Sequence, residues 1–194
     1  MDRRARVRQL IVYCLFICIF SLIQVSWPRG WLLFGSRPDL MLVLCVLSGF
    51  LFGIEDGIVI GLLTGYMRDV LTGRVLGMGM LLMMYAGICG AMLFRRRFRR
   101  QMFFALILVG LVTVFYVCII FGLNKFFPML RDITPQVRPL FLQSLKSGTG
   151  SLILNMVASI PILLLLHHFG PYPKSWMDGE DSEMLTGDQI WRTI

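Results

Sequence analysis

The chain has 194 residues, of which 57% are hydrophobic and only 15% are charged, and its formal net charge is +8. Soluble domains are usually about 45–50% apolar and about 25% charged, so this composition excludes a soluble globular protein and predicts a single membrane domain. The chain is too short to carry a large soluble domain as well.

Six apolar segments reach or approach the length of about 17–25 residues that crosses a bilayer. Each is expected to be an α-helix, because a helix satisfies its own backbone hydrogen bonds in lipid and no run of about ten alternating residues indicates a barrel. The predicted spans are residues 10–27, 39–54, 57–71, 75–94, 102–123 and 151–167. The predicted fold class is therefore an all-α membrane protein, a six-transmembrane-helix bundle within residues 1–168. Residues 169–194 are polar and acidic and are predicted to form a cytoplasmic tail.

The first span follows several arginines, as a signal peptide would. Its apolar core is longer than the usual h-region of about 7–15 residues, so a retained span is expected. Four arginines precede this span, and five lie between the fourth and fifth spans. They are Arg3, Arg4, Arg6, Arg8, Arg95, Arg96, Arg97, Arg99 and Arg100.

These two arginine clusters predict the orientation of the bundle. Short loops rich in Lys and Arg stay in the cytoplasm. Both clusters can do so only if an even number of spans separates them, and four predicted spans do. Both termini are therefore predicted to be cytoplasmic, and residues 124–150 form the long outer loop. Topology and anionic lipid headgroups account for the basic run, so no nucleic-acid partner is expected.

The second predicted span opens with the sequence SRPDL. Ser36 can cap the helix, and Asp39 follows three residues later at a capping-box-like spacing. Pro38 suits the first helical turn, where a missing N–H costs nothing. The helix dipole also favours an anion near the N-terminus. A role in the start of the helix is therefore enough to explain the presence of Asp39.

Glycines recur every four residues across the second and third spans. They are Gly49, Gly53, Gly57, Gly61 and Gly65. Small residues at this spacing lie on one helix face and let two helices approach closely in lipid. A tight cytoplasmic turn at Glu55 and Asp56 divides the ladder, which predicts a close antiparallel hairpin of the second and third spans. Packing within the chain is favoured over a homodimer seam.

Arg68 and Asp69 lie side by side in an otherwise apolar region. Each charge would cost about 2.5–3.5 kcal/mol at the centre of a lipid-facing helix, so the pair is predicted inside the bundle near its outer face. Asp69 is near a helix C-terminus, where the dipole disfavours an anion. Its compensation could come from Arg68, Arg74, an Asx turn or the N-terminus of the fourth helix. Gly73 and Gly77 suit a sharp outer turn here. Asp69 is therefore predicted to matter more than Asp39, either for this turn or for a partner contact.

The cysteines and histidines do not indicate a catalytic or metal site. The five cysteines all lie in predicted spans and are expected to be buried thiols rather than metal ligands or disulfides. His167 and His168 mark the end of the last span. The sequence offers no metal motif and no clustered acids, bases or nucleophiles, so we expect no enzyme, metal or cofactor.

The ordered set of these features resembles the MreD family, the rod shape-determining membrane proteins of bacteria. The matching pieces are Pro38-Asp39-Leu40, the glycines from Gly49 to Gly65, Asp69 with Gly73, Leu76 and Gly77, and the arginines from Arg95 onward. The resemblance implies a non-enzymatic inner-membrane subunit of the cell-elongation machinery. It also implies MreC, the MreB filament, the RodA glycosyltransferase and a penicillin-binding transpeptidase as partners.

The same resemblance implies a fold similar to the substrate-binding subunits of energy-coupling-factor vitamin transporters. Such a subunit is the alternative function, and it would need a polar ligand pocket. The spans offer few polar groups for one, namely Gln24, Thr64, Tyr66, Thr113, Tyr116 and Asn155. The sequence therefore favours a scaffold over a vitamin-binding subunit.

Overall fold

The computed structural model describes residues 3–28, 32–73, 76–92, 102–126 and 137–170, and these residues form six α-helices. The helices are α1 (Arg3–Val25), α2 (Leu40–Phe52), α3 (Ile54–Thr72), α4 (Met78–Met92), α5 (Met102–Phe126) and α6 (Val137–Phe169). Apart from one isolated bridge between Leu33 and Ser36, the described residues hold no strand. The prediction of an all-helical protein is confirmed.

Three of the helices are long and apolar enough to cross a membrane. The qualifying segments are Val7–Val25 of α1, Phe103–Gly122 of α5 and Lys146–Phe169 of α6. α2 and α4 are apolar but have only 13 and 15 residues. At about 1.5 Å per residue they are roughly 20 Å long, which is short of a bilayer core of about 30 Å. That all six helices cross the membrane therefore stays a prediction.

α2 is the central helix of the bundle. All 13 of its residues are buried, and it contacts each of the other five helices. A helix that is apolar on every side belongs in a core, and the sequence LMLVLCVLSGFLF has this character. Around α2, α3 and α4 form the most extensive helix pair, and α5 and α6 form a second pair.

The chain passes from α2 to α3 through a single residue, Gly53. Its φ of 105° and ψ of −173° are open to glycine and strained for other residues. The predicted turn at Glu55 and Asp56 is therefore wrong. Both acidic residues lie in the first turn of α3, where the helix dipole favours them.

The start of α2 differs from the prediction as well. Asp39 rather than Ser36 is the N-cap, because its carboxylate directly precedes the helix and accepts the Leu42 N–H at 3.2 Å. Ser36 instead donates its hydroxyl to the carbonyl of Ser147 at 2.6 Å, which ties the turn before α2 to α6. Pro38 precedes the cap and does not occupy the first helical turn.

The glycine ladder lies mostly against α4, and the predicted close contact between α2 and α3 is made at Gly57, whose added Cβ would stand 3.0 Å from the Cα of Gly49. A Cβ added at Gly49 would stand 2.2 Å from the carbonyl oxygen of Gly87, and one at Gly61 would stand 2.7 Å from that of Met83. A Cβ added at Gly65 would stand 2.4 Å from the Cα of Met80. Gly53 has no atom within 4 Å of its missing Cβ and acts only as the connection between α2 and α3.

α4 contributes two glycines to the same contact, Gly87 and Gly90. The sequence analysis did not single out these two residues. A Cβ at Gly87 would stand 2.2 Å from the carbonyl oxygen of Gly57, and one at Gly90 would stand 2.4 Å from that of Val46. Glycines on both sides let the backbones of these helices touch, which favours helix association in lipid. We call this contact the glycine seam, formed by Gly49, Gly57, Gly61, Gly65, Gly87 and Gly90.

α6 begins at Val137, so the second half of the predicted outer loop is helical. Pro139 lies in the first turn, where no intrahelical partner is lost, and the helix therefore tolerates it. The helix also continues through Pro161. Arg74, the arginine cluster that begins at Arg95, and residues 171–194 lie outside the described residues, so the predictions about them stay predictions.

Candidate functional site

Arg68 and Asp69 are adjacent in α3 but bond to different helices. Successive residues of a helix are turned by about 100° from each other, so neighbours in sequence face different sides. Arg68 is directed towards the N-terminus of α2, and Asp69 is directed towards the N-terminus of α4. The pair therefore belongs to two separate sets of contacts.

Asp69 caps α4 from outside that helix. Its carboxylate accepts the backbone N–H of Gly77 at 2.9 Å and that of Gly79 at 3.0 Å, and Met80 donates at 3.4 Å. The residue is only 3% exposed. A Cβ at Gly79 would stand 2.1 Å from the carboxylate, so this approach requires glycine. Of the compensating groups considered from sequence that lie in the described part of the chain, the N-terminus of the fourth helix contacts the carboxylate, and it offsets the unfavourable position of Asp69 at the end of α3.

Gly73 ends α3 in the left-handed conformation, with φ 63° and ψ 21°. This is the usual conformation of a residue that follows a helix, and glycine adopts it without strain. Gly77, just before α4, also has a positive φ, of 105°. Together with Asp69 they define the turn that was predicted here from the sequence.

Arg68 and Asp39 form an ion pair between α3 and the start of α2. Their side chains are 20% and 13% exposed, so water reaches both only in part. The guanidinium also lies over the ring of Tyr116 in α5, with Cζ 5.1 Å from the ring centroid, a cation–π distance. Gln24 of α1 donates from Nε2 to the Asp39 carboxylate at 3.5 Å. The sequence analysis gave Asp39 a capping role alone and did not foresee this pair.

Asn155 of α6 joins three helices at the same end of the bundle. Its Oδ1 accepts the backbone N–H of Asp39 at 2.7 Å, and its Nδ2 donates to the hydroxyl of Thr113 in α5 at 3.1 Å. Asn155 is fully buried. On α1, the Oε1 of Gln24 accepts the N–H of Met41 at 3.3 Å. A buried amide whose donors and acceptors are both used fixes the relative positions of the helices that it touches.

These side chains surround a cavity of about 320 Å³. Residues of α1, α2, α3, α5 and α6 line it, together with the turn before α2. We call it the polar cavity. Its charged and principal polar lining residues are Gln24, Ser36, Arg37, Asp39, Arg68, Thr113, Tyr116, Ser151 and Asn155.

The six polar residues singled out from sequence do not all lie together. Gln24, Thr113, Tyr116 and Asn155 line the polar cavity. Thr64 is buried elsewhere and donates to the carbonyl of Ile60 in its own helix, and Tyr66 is exposed. In the predicted topology, Gln24 lies near the end of the first span, Tyr116 in the second half of the fifth and Asn155 near the start of the sixth, and this placement is the signal for the cavity that the sequence contained.

The described residues offer no group of three or more His, Cys, Asp or Glu side chains that could hold a metal ion. All five cysteines are free thiols. Contrary to the sequence prediction, only Cys45 is buried, and it donates to the carbonyl of Met83 at 3.0 Å. Cys14, Cys18 and Cys118 are exposed because they lie on the outer faces of α1 and α5.

The cap by Asp69 and the ion pair between Arg68 and Asp39 lie in the stretch that carries the sequence resemblance. A protein-family model described as rod shape-determining protein MreD matches residues 3–170, nearly the whole chain. The chain belongs to the MreD family. Comparison with curated proteins and with solved structures returns no significant match. Membership of the MreD family supports a rod shape-determining membrane protein.

Proposed function

We propose that the chain is a non-enzymatic, multi-pass subunit of the bacterial cell-elongation complex and that it scaffolds the other components. The family match over residues 3–170 carries this proposal. The expected partners are MreC, the MreB filament, the RodA glycosyltransferase and a penicillin-binding transpeptidase, together with membrane lipid. Both the interior and the outer faces of the bundle suit such a role.

The internal polar groups support a scaffold because they are used to join helices. Asp69 commits its carboxylate to the amides of α4, and Asp39 commits its own to Arg68 and the N-terminus of α2. Asn155 bonds to α2 and α5 at once. A catalytic acid, base or nucleophile would instead have to reach a substrate.

The outer faces of the long helices support contact with lipid or with partner helices. Large apolar side chains such as Leu22 of α1, Leu111 of α5 and Val157 of α6 are exposed in the isolated chain. Among the described residues α1 packs only against α2 and α3, so its remaining sides are available. Packing of exposed helix faces is the usual means of association within a membrane.

The proposed location is the bacterial inner membrane, with six crossings and both termini in the cytoplasm. In this orientation the polar cavity faces outward, because α1 and α3 end there, α2 begins there, and the apolar segment Lys146–Phe169 of α6 begins beside it. The proposed fold is similar to that of the substrate-binding subunits of energy-coupling-factor transporters. The all-helical architecture and the cavity at one end of the bundle support it.

The alternative, a vitamin uptake subunit, has one supporting observation, which is the polar cavity. Its volume is at the lower end of the range of about 300–1,000 Å³ for ligand pockets. Asp39, Arg68 and Asn155 already bond to each other's helices, which leaves fewer groups for a vitamin. We expect calorimetry with riboflavin, thiamine and biotin to give no binding. Tight binding of one molecule per chain would favour the alternative.

Depletion of the protein in its host, followed by microscopy, tests the proposed function. We expect cells to lose rod shape, and we expect the wild-type gene to restore it. Normal shape after depletion, accompanied by a vitamin requirement, would overturn the scaffold proposal and support the transporter alternative. Immunoblots of the membrane fraction establish that depletion is complete.

A further inference from the structure

A second cavity, of about 290 Å³, lies beside the polar cavity between α1, α2 and α6. Its lining is almost wholly apolar and includes Phe20 of α1, Trp27 just beyond that helix, and Val157, Pro161 and Leu165 of α6. We call it the apolar cleft. In the described part of the chain α1 and α6 do not pack against each other, and α2 lies behind both. The apolar cleft is therefore a gap in the side of the bundle that faces the hydrocarbon of the membrane.

The two cavities meet at the start of α2. Pro38 lines both of them. On α1, Phe20 lines the apolar cleft and the next residue, Ser21, lines the polar cavity. On α6, Leu154 lines the apolar cleft and the next residue, Asn155, lines the polar cavity. One elongated molecule could therefore place a polar end in the first cavity and an apolar end in the second.

The net charge of the side chains that line the polar cavity indicates which charge the polar end of such a molecule would carry. The charged side chains that line it are Arg37, Arg68 and Asp39, so one positive charge is in excess. Arg37 is exposed at the rim, and Arg68 keeps a fifth of its side chain accessible after pairing with Asp39. Guanidinium groups match the geometry of phosphate oxygens well. The hydroxyl group of Ser151 adds hydrogen-bonding capacity to the lining.

We propose that the two cavities together bind one membrane lipid, with its anionic phosphate headgroup in the polar cavity beside Arg37 and Arg68 and a hydrocarbon chain in the apolar cleft. A soluble phosphate compound would leave the apolar cleft unfilled, and an uncharged lipid would leave the excess positive charge unmatched. Trp27, which lines the cleft near the outer end of α1, is the residue type that borders the headgroup region of a bilayer. This proposal goes beyond the scaffold function and does not depend on it.

The test uses the full chain purified in detergent, and native mass spectrometry measures lipid retention. The probes are phosphatidylglycerol, phosphatidylcholine and inorganic phosphate. We expect one phosphatidylglycerol per chain to survive delipidation, and we expect phosphatidylcholine and inorganic phosphate not to displace it. Equal retention of the two lipids, or displacement by inorganic phosphate alone, would overturn the proposal. Displacement by riboflavin, thiamine or biotin would overturn it in favour of a vitamin site.

Two variants test the two halves of the site separately. Arg37→Gln removes the rim charge, and Val157→Trp fills the apolar cleft from an exposed position. Each should weaken phosphatidylglycerol binding by about tenfold or more, the loss expected for one charge-assisted hydrogen bond or for a blocked cavity. Binding that is unchanged in both variants would contradict the proposal.

Matched controls keep the comparison interpretable. Lys146→Gln removes an exposed charge of α6 at the same end of the bundle but outside the cavity lining. Leu111→Trp adds comparable bulk at an exposed position of α5. Both controls should bind phosphatidylglycerol as the wild type does. Size-exclusion profiles show whether each variant is folded, and because both test positions are exposed, we expect normal profiles.

Discussion

Arg68 of α3 is paired with Asp39 at the start of α2, and not with Asp69, its neighbour in the chain. Asp69 is free to cap α4 because Asp39 neutralises the arginine. Arg68 was one of the four compensating groups considered for Asp69 from the sequence, and it is paired with Asp39 instead. The ion pair therefore joins α3 to the start of α2, and the cap by Asp69 joins α3 to the start of α4.

The first prediction concerns Asp39→Asn. From sequence this change was expected to be mild, since asparagine caps a helix almost as well as aspartate. The ion pair changes that expectation, because an uncharged amide would leave the Arg68 guanidinium without its anion in a partly buried site. Loss of one partner of a buried pair costs about 3 kcal/mol, and here somewhat less because both side chains retain some exposure. Thermal unfolding in detergent measures the effect.

The double variant Asp39→Asn with Arg68→Gln is the companion test. Removal of both charges should recover part of the stability that Asp39→Asn loses, since no unpaired cation remains. If the two single changes simply add, the ion pair does not contribute to the fold.

The cap of α4 is tested by Asp69→Ala. The change leaves the N–H groups of Gly77 and Gly79 without an acceptor, which costs about 1–3 kcal/mol. We expect lower membrane levels and impaired rod shape in a depletion background. Val70→Ala, at the adjacent exposed position, is the matched control and should behave as wild type. Full complementation by Asp69→Ala at normal levels would show that this cap is dispensable.

A third prediction concerns the glycine seam. Gly87→Ala would bring a Cβ to 2.2 Å from a carbonyl oxygen of α3, so the helices must move apart. We expect loss of stability in detergent and lower accumulation in the membrane. Gly122→Ala in α5 is the control, since no atom lies within 4 Å of its missing Cβ and alanine favours a helix. Equal stability of the two variants would argue against direct backbone contact in the seam.

The membrane topology gives a fourth prediction. Single cysteines introduced by Asp2→Cys, Phe98→Cys, Asp132→Cys and Leu185→Cys report which side of the membrane each position occupies. They require a background without native cysteines, since three of those are exposed. Only position 132 should react with an impermeant reagent in intact cells, because the arginine clusters hold positions 2 and 98 inside and the two predicted spans that follow return position 185 to the same side. Reaction of position 98 from outside would refute the six-span arrangement.

Local features of this fold are easier to predict from sequence than distant ones. The length of the apolar segments indicated the helices, and the dipole argument identified Asp69 as a residue that needs a partner. That argument could not choose among four candidates, because the choice depends on how α3 and α4 pack. Gly53 was wrongly assigned to a packing ladder because spacing alone does not reveal a positive φ.

The candidate site was harder to predict because its residues are far apart in sequence. Arg68 meets Asp39 across 29 positions, and Asn155 meets Asp39 across 116. No local pattern encodes such a meeting, since it depends on the order of helices around α2. The polar groups that looked too sparse for a pocket become a cavity only when five helices converge.

The proposed scaffold role of this MreD-family chain is tested most directly by its co-purification from native membranes. The tagged full-length chain should recover MreC, RodA and the penicillin-binding transpeptidase in reproducible ratios, quantified by mass spectrometry. A tagged membrane protein of similar size from the same cells serves as the control for non-specific recovery. Recovery of none of these partners above that control, or recovery of the energising subunits of a vitamin transporter in their place, would contradict a scaffold role in the elongation complex.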